Sequence, residues 1–78
     1  MAQVDIQING KAYRIACEDG QEPRLRELAQ MVDAHVKDLV GQVGQVGDTR
    51  LLVMASLLVA DELMDLRDAA HVVDEGEE

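Results

Sequence analysis

Residues 4–17, VDIQINGKAYRIAC, decide the fold of the first part of the chain. Apolar and polar side chains alternate through residues 4–8, which is the period-two pattern of a half-buried strand. Asn9-Gly10 follows and favours a type I′ hairpin turn, because both residues tolerate positive φ. That turn sets the register and places Asp5 opposite Arg14, an oppositely charged cross-strand pair. The pairs predicted on the apolar face are Ala2–Cys17, Val4–Ile15 and Ile6–Tyr13.

A hairpin alone is marginally stable in water, so a helix must cover its apolar face. Apolar residues recur every three to four positions after Pro23, which predicts an amphipathic helix from residue 24 to about residue 40. The glycine-rich stretch 41–48, GQVGQVGD, is predicted to end it. In that stretch we expect Val43 and Val46 to turn toward the core and Asp48 to cap a second helix.

The second helix is predicted from about residue 49 to about residue 73. Its first part, residues 51–60 (LLVMASLLVA), is apolar all round and therefore requires burial on every side. Alternating spacings of four and three then mark a coiled-coil seam. The seam residues are Leu52, Ser56, Val59, Leu63, Leu66, Ala70 and Val73. The predicted dimer interface comprises Leu51, Leu52, Met54, Ala55, Leu58, Val59, Leu63 and Leu66. Of these, Leu51, Met54, Ala55 and Leu58 are expected to fill the head.

These elements predict an α+β fold: a small head of hairpin and short helix over residues 1–48, and a long dimerisation helix with an acidic tail over residues 49–78. Composition also points to a partner. A chain of 78 residues buries only about 60% of its unfolded surface and usually needs a disulfide, a metal or another subunit. Cys17 is the single cysteine, and no zinc-ligand spacing is present, so a second subunit is the remaining option.

The net charge of −9 argues against nucleic-acid and membrane-surface binding. The charge is uneven: residues 1–50 hold six basic and eight acidic side chains, whereas residues 51–78 hold one and eight. The head is thus near −2 and the last third near −7. The N-terminus has no secretory pattern, and the apolar run of residues 51–60 is shorter than the ~20 residues of a membrane span. With one unpaired thiol, we expect a cytoplasmic protein.

Three blocks of this sequence resemble the ZapA family of bacterial cell-division proteins. They are the opening VDIQINGKAYRIAC, the pair Leu28-Ala29 followed by Val32-Asp33, and the block DTRLLVMASLLVADEL. The similarity covers about residues 4–70 as a single domain. The resemblance implies a head that dimerises through a long second helix, binds polymerising FtsZ, and crosslinks its protofilaments in the division ring.

The sequence departs from the family in two places. Family members typically continue the coiled coil further and join two dimers into a tetramer, whereas this chain ends at Glu78, which leaves dimer against tetramer open. Many relatives also carry basic residues in the loop between the helices, where this chain reads GQVGQVG. Lys11 and Arg14 match the basic positions of the family's head. Since FtsZ is acidic, we predict that these two residues contribute to FtsZ binding; the alternative is that they are ordinary solvated charges and that Arg14 only pairs with Asp5.

Other residue groups indicate no catalysis, metal or cofactor. His35 and His71 lie too far apart in sequence for a chelate, and His35 is expected to be a partly buried neighbour of the core. Cys17 is expected to pack as a small apolar residue, and the carboxylates around Glu62 to form a solvated face. The alternatives to FtsZ binding are a dimeric adaptor for another cytoplasmic protein, an enzyme subunit or small-ligand carrier, and a nucleic-acid-binding dimer, the last two being disfavoured by composition.

Overall fold

The computed structural model shows a β-hairpin followed by two helices, which confirms the α+β prediction. It describes residues 1–75, with side chains for residues 1–69. The elements are β1 (Ala2–Ile8), β2 (Lys11–Cys17), α1 (Glu22–Val43) and α2 (Asp48–Glu75). The predicted positions of Ala70, Val73 and His71, and of the tail beyond residue 75, lie outside the side chains or residues described.

The hairpin has the predicted turn and register. Asn9 and Gly10 adopt φ values of 54° and 80°, as a type I′ turn requires. The strands pair antiparallel, with Asp5 opposite Arg14 and Ile6 opposite Tyr13. The agreement follows from local chemistry, because a two-residue turn leaves the flanking strands one register.

The core lies between the hairpin, α1 and the first two turns of α2. Helix α1 packs mainly on β1, and α2 packs on α1. Pro23 stands in the first turn of α1, where its missing N–H costs nothing. The buried apolar residues are Val4, Ile8, Ala29, Val36, Leu39, Leu51 and Ala55. Leu51 and Val36 are fully buried, so α2 is anchored to α1 at this point.

The predicted end of α1 was wrong, and so was the predicted course of the loop. Helix α1 continues through Gly41 to Val43 and ends at Gly44, whose φ of 85° favours glycine. The connection that remains is too short to turn inward. Val43 and Val46 are therefore 46% and 42% exposed and do not reach the core.

Helix α2 is buried in the protomer on one face only, although its apolar run was expected to be covered on every side. Leu51 and Ala55 are fully buried on this face, whereas Leu58, which follows at a spacing of three, is 40% exposed. The seam, represented by Leu63, lies beside this face and is exposed. A third apolar face, with Leu57 at 65% exposure, lies on the far side of the helix. Burial of the last two faces thus requires something beyond a single chain.

The protomer is thin and open for its size. Its extents are 48 × 37 × 14 Å and its radius of gyration is 15.8 Å. A compact chain of this length would have a radius of gyration of about 11.5 Å. The shortest extent is less than half of either other one, so the chain has a large surface for its length.

No single helix of the described part is long and apolar enough to cross a membrane. By length and composition alone, α1 and α2 up to Ala69 would qualify together, but they are bent by 113° relative to each other.

Candidate partner-binding surfaces

The hairpin turn is tied to the junction of α1 and α2 through Asn9. Its backbone N–H donates to Oδ1 of Asp33 at 2.8 Å. Its side-chain amide donates to Gln45 at 3.0 Å and to Asp48 at 3.1 Å. The expected cap at Asp48 was wrong: Asp48 is the first residue of α2, and its carboxylate is turned to the hairpin. A single turn residue therefore fixes the position of the hairpin relative to both helices.

Lys11 belongs to the same network. Its ammonium group forms an ion pair with the carboxylate of Asp48, which is 25% exposed. Hydrogen bonding from Lys11, and then from Asn9, lowers the pKa of Asp48, while the same contact raises the pKa of Lys11. The charge of Lys11 thus already has a partner within the chain.

Arg14 lies on the opposite face of the hairpin from Lys11, because successive side chains of a strand point to opposite faces. Its guanidinium donates to Oδ1 of Asp5 at 3.0 Å in an exposed pair. This hydrogen bond and the charge of Arg14 lower the pKa of Asp5. The two cations predicted to bind a partner therefore do not form one patch.

The structure brings a further cation, which the sequence did not single out, to Asp5, the partner of Arg14. Arg26 of α1 lines a shallow depression with Asp5 and adds to the lowering of the Asp5 pKa. Among the ion pairs found for the described side chains, none involves Arg24, Arg26 or Arg50. No local pattern marks Arg26, since its position beside Asp5 depends on how α1 lies across β1.

A nearly all-apolar groove opens on the hairpin beside α1. Tyr13 and Ile15 of β2, Leu25 and Leu28 of α1, and Leu52 of α2 are among its lining residues, and its volume is about 370 Å³. We call it the apolar groove. Helix α1 covers β1 more than β2, which leaves Ile15 and Leu28 exposed. The groove reaches the seam at Leu52.

The eight residues of the predicted dimer interface divide into three groups by burial. Leu51 and Ala55 are fully buried in the protomer's own core, so they have no surface left for a second chain. Leu52 and Met54 are half-buried against that core. The remaining four are exposed on α2, the last two more than the first two: Leu58, Val59, Leu63 and Leu66. The dimer interface itself remains a prediction.

Comparison with known proteins assigns the chain to a family. The family described as "Cell division protein ZapA" matches residues 4–78. The chain belongs to the ZapA family. It is thus a member of a family of cell-division proteins associated with FtsZ.

A solved structure supports the family's fold here. The "Unknown conserved bacterial protein from Pseudomonas aeruginosa PAO1" superposes with a TM-score of 0.84 at 22% sequence identity. The alignment covers 97% of this chain and 84% of that chain, which shows a shared architecture. Among curated proteins, no sequence matches the chain.

The remaining residues singled out from the sequence are Cys17, the candidate metal ligands and Glu62. Cys17 is half-buried, and burial together with the nearby charges of Glu22 and Asp19 raises the pKa of its thiol, which disfavours the reactive thiolate. No group of three metal-ligating side chains is assembled within the described residues. Glu62 contacts His35 of α1 and is not merely solvated.

Proposed function

We propose that the chain is a non-enzymatic homodimer that binds FtsZ and crosslinks its protofilaments at the cytoplasmic division site. Family membership over residues 4–78 supports the link to FtsZ. One observation supports the dimer above all others: a single protomer leaves an apolar surface open from the apolar groove along the seam of α2.

The amount of open surface is appropriate for a dimer. The protomer exposes 6015 Å², whereas a compact protein of 8.6 kDa exposes about 4,700 Å². The excess is thus about 1,300 Å², and a standard interface buries about 800 Å² on each partner. The excess is therefore larger than a standard interface and lies in the range of obligate homodimers, which bury about 1,000–2,500 Å² on each partner.

The position of Leu52 supports a single continuous interface. Leu52 lines the apolar groove and is also the first seam residue. A second protomer lying along α2 would therefore cover the seam and meet the mouth of the groove together. In a two-fold dimer the same patch is used by both copies, so a self-complementary apolar strip is what such a contact needs.

For FtsZ contact we propose the side of the head that carries Arg14 and Arg26. Both cations adjoin Asp5, and all three side chains are exposed; Asp33, which lines the same depression, is paired with Lys37. Lys11, the other predicted contact, is paired with Asp48 and contributes to holding the hairpin. The first fifty residues carry a net charge of only −2, against −7 for residues 51–78, so they would repel an acidic filament less.

Crosslinking would then follow from geometry. A dimer presents two heads, and once one head has bound a polymer, the second binds at a high effective concentration. Each head could therefore bind FtsZ weakly and the dimer would still crosslink filaments. Weak binding is what an exposed charged surface provides, because exposed ion pairs contribute little free energy.

The experiment is co-sedimentation of the full chain with FtsZ polymerised by GTP, paired with light scattering as a measure of bundling. Arg14→Glu and Arg26→Glu should each reduce pelleting and scattering. Arg67→Glu is the matched control, because it makes the same charge change on the exposed surface of α2. For Lys11→Glu, thermal unfolding is measured beside FtsZ pelleting, because loss of the ion pair with Asp48 also affects the stability of the fold.

Two results would contradict the proposal. If the wild-type chain neither pellets with FtsZ nor raises scattering, the proposed FtsZ binding is wrong, and the alternative of an adaptor for another protein is favoured. If Arg14→Glu and Arg26→Glu pellet like Arg67→Glu, FtsZ contacts a different face of the head.

A further inference from the structure

His35 of α1 makes a contact through each nitrogen of its ring, and the contact of Nε2 reaches α2. Nδ1 lies 2.8 Å from the carbonyl oxygen of Met31, one turn earlier in α1. Nε2 lies 2.9 Å from Oε2 of Glu62 in α2. The His35 side chain is 19% exposed and that of Glu62 is 58% exposed.

Both neighbours of the ring are hydrogen-bond acceptors. A carbonyl oxygen and an ionised carboxylate cannot donate, and a neutral imidazole carries a single N–H. Only the doubly protonated imidazolium can therefore make both contacts at once. The arrangement requires a charged His35.

We propose that His35 is a pH-dependent link between α1 and α2, closed when the ring is protonated and open when it is neutral. The charged groups that act on the ring are Glu62 from α2 and Asp38 from α1, and both are anionic. Hydrogen bonding to Met31 and then to Glu62 raises the pKa of His35. This inference concerns the protomer alone and does not depend on FtsZ binding.

On deprotonation the contact to Glu62 is the one that is lost. The Met31 carbonyl is held in the helix and cannot turn away, so the remaining proton stays on Nδ1. Glu62 is exposed and can rotate into water, which removes the repulsion between its carboxylate and the Nε2 lone pair. The helices then lose a tie seven residues beyond Ala55, about 10 Å further along α2. Leu63 of the seam is the next residue after Glu62. Opening or closing the link therefore affects the position of the seam relative to the head.

The sign of the pH effect follows from the raised pKa. A link that raises the folded-state pKa of a histidine stabilises the fold fully below the unfolded value of about 6.5 and is lost as pH rises through the folded value. Most carboxylates remain ionised throughout this range, so they change little across it.

The test is an NMR titration of the His35 ring in the full chain and in two variants of α2. We expect a midpoint above 6.5 in the wild type and a lower one in Glu62→Gln, which keeps the size and removes the charge. Asp65→Asn is the matched control, because it also removes one carboxylate from α2. The His35 midpoint in this variant should stay at the wild-type value. In the wild type, the amide signals of Leu58 and Leu63 should shift with pH at the same midpoint as the His35 ring. In His35→Gln this pH-dependent shift should be absent.

A His35 midpoint at or below 6.5 would overturn the proposal, as would an equal midpoint in wild type and Glu62→Gln. An equal fall in Asp65→Asn would mean that diffuse negative charge, not the link, sets the midpoint. If the amide signals in α2 do not change during the His35 titration, protonation of the ring does not affect α2, and the proposal is wrong.

Discussion

Leu63 is the residue at which the dimer prediction can be measured most directly. It is 55% exposed in the protomer, so a seam contact would bury roughly half of its side chain. Complete burial of a leucine is worth about 1.5–3 kcal/mol, and half of that is about 0.8–1.5 kcal/mol. A two-fold dimer contains Leu63 twice. Leu63→Ala should therefore weaken dimerisation by about 1.5–3 kcal/mol, which is about ten- to a hundred-fold in Kd.

The assay is analytical ultracentrifugation over a concentration series, which yields Kd for both proteins. Leu57→Ala is the matched control, because it makes the same change on the third face of α2, where 65% of the residue is exposed. We expect Leu57→Ala to leave Kd near the wild-type value. Equal effects of the two variants, or a larger effect at Leu57, would refute the assignment of the seam. A wild-type chain that sediments as a monomer at all concentrations would refute the dimer itself.

Three further predictions concern the protomer and are tested by thermal or denaturant unfolding. Leu51→Ala should cost about 2–5 kcal/mol, because Leu51 is fully buried beside α1; a loss below 1 kcal/mol would contradict the packing. Asn9→Asp should lower the unfolding midpoint by about 5 °C, since it replaces two donated hydrogen bonds by a charge facing Asp48. The Asn9→Asp defect should shrink as pH falls and the new carboxyl protonates, and a pH-independent defect would argue against repulsion. Gly10→Ala should cost about 1–2 kcal/mol through its φ of 80° alone, because an added Cβ meets no atom within 4 Å; Gly41→Ala in α1 is the matched control and should stabilise by about 1 kcal/mol.

The hairpin could be predicted in detail because its information is local. The Asn9-Gly10 turn sets the register, and the alternation of residues 4–8 sets the face that is buried. The existence and type of both helices were also readable from periodicity. The end of α1 was not, because a single glycine inside a helix costs only about 1 kcal/mol, which neighbouring packing exceeds. The break therefore falls at Gly44, where φ is positive, and not at Gly41.

The candidate binding site was less predictable than the fold. The family resemblance singled out Lys11 and Arg14, and strand periodicity alone would have placed them on opposite faces of the hairpin. Their partners are a different matter. Asp48 lies 37 residues after Lys11, and Arg26 reaches Asp5 only through the packing of α1 on β1. Such pairs depend on the angle between elements, which short-range patterns do not encode.

By itself, the sequence determined the elements of this protein and the hairpin register, and it predicted a partner subunit. These properties arise from turn chemistry, hydrophobic periodicity and the ratio of surface to volume in a short chain. Only the tertiary structure decided which faces of α2 are buried, that Asn9 ties the hairpin to the helix junction, and that His35 meets Glu62. The hydrogen bonds among them join residues at least 24 positions apart, and the chain brings these residues together only when its elements pack on one another.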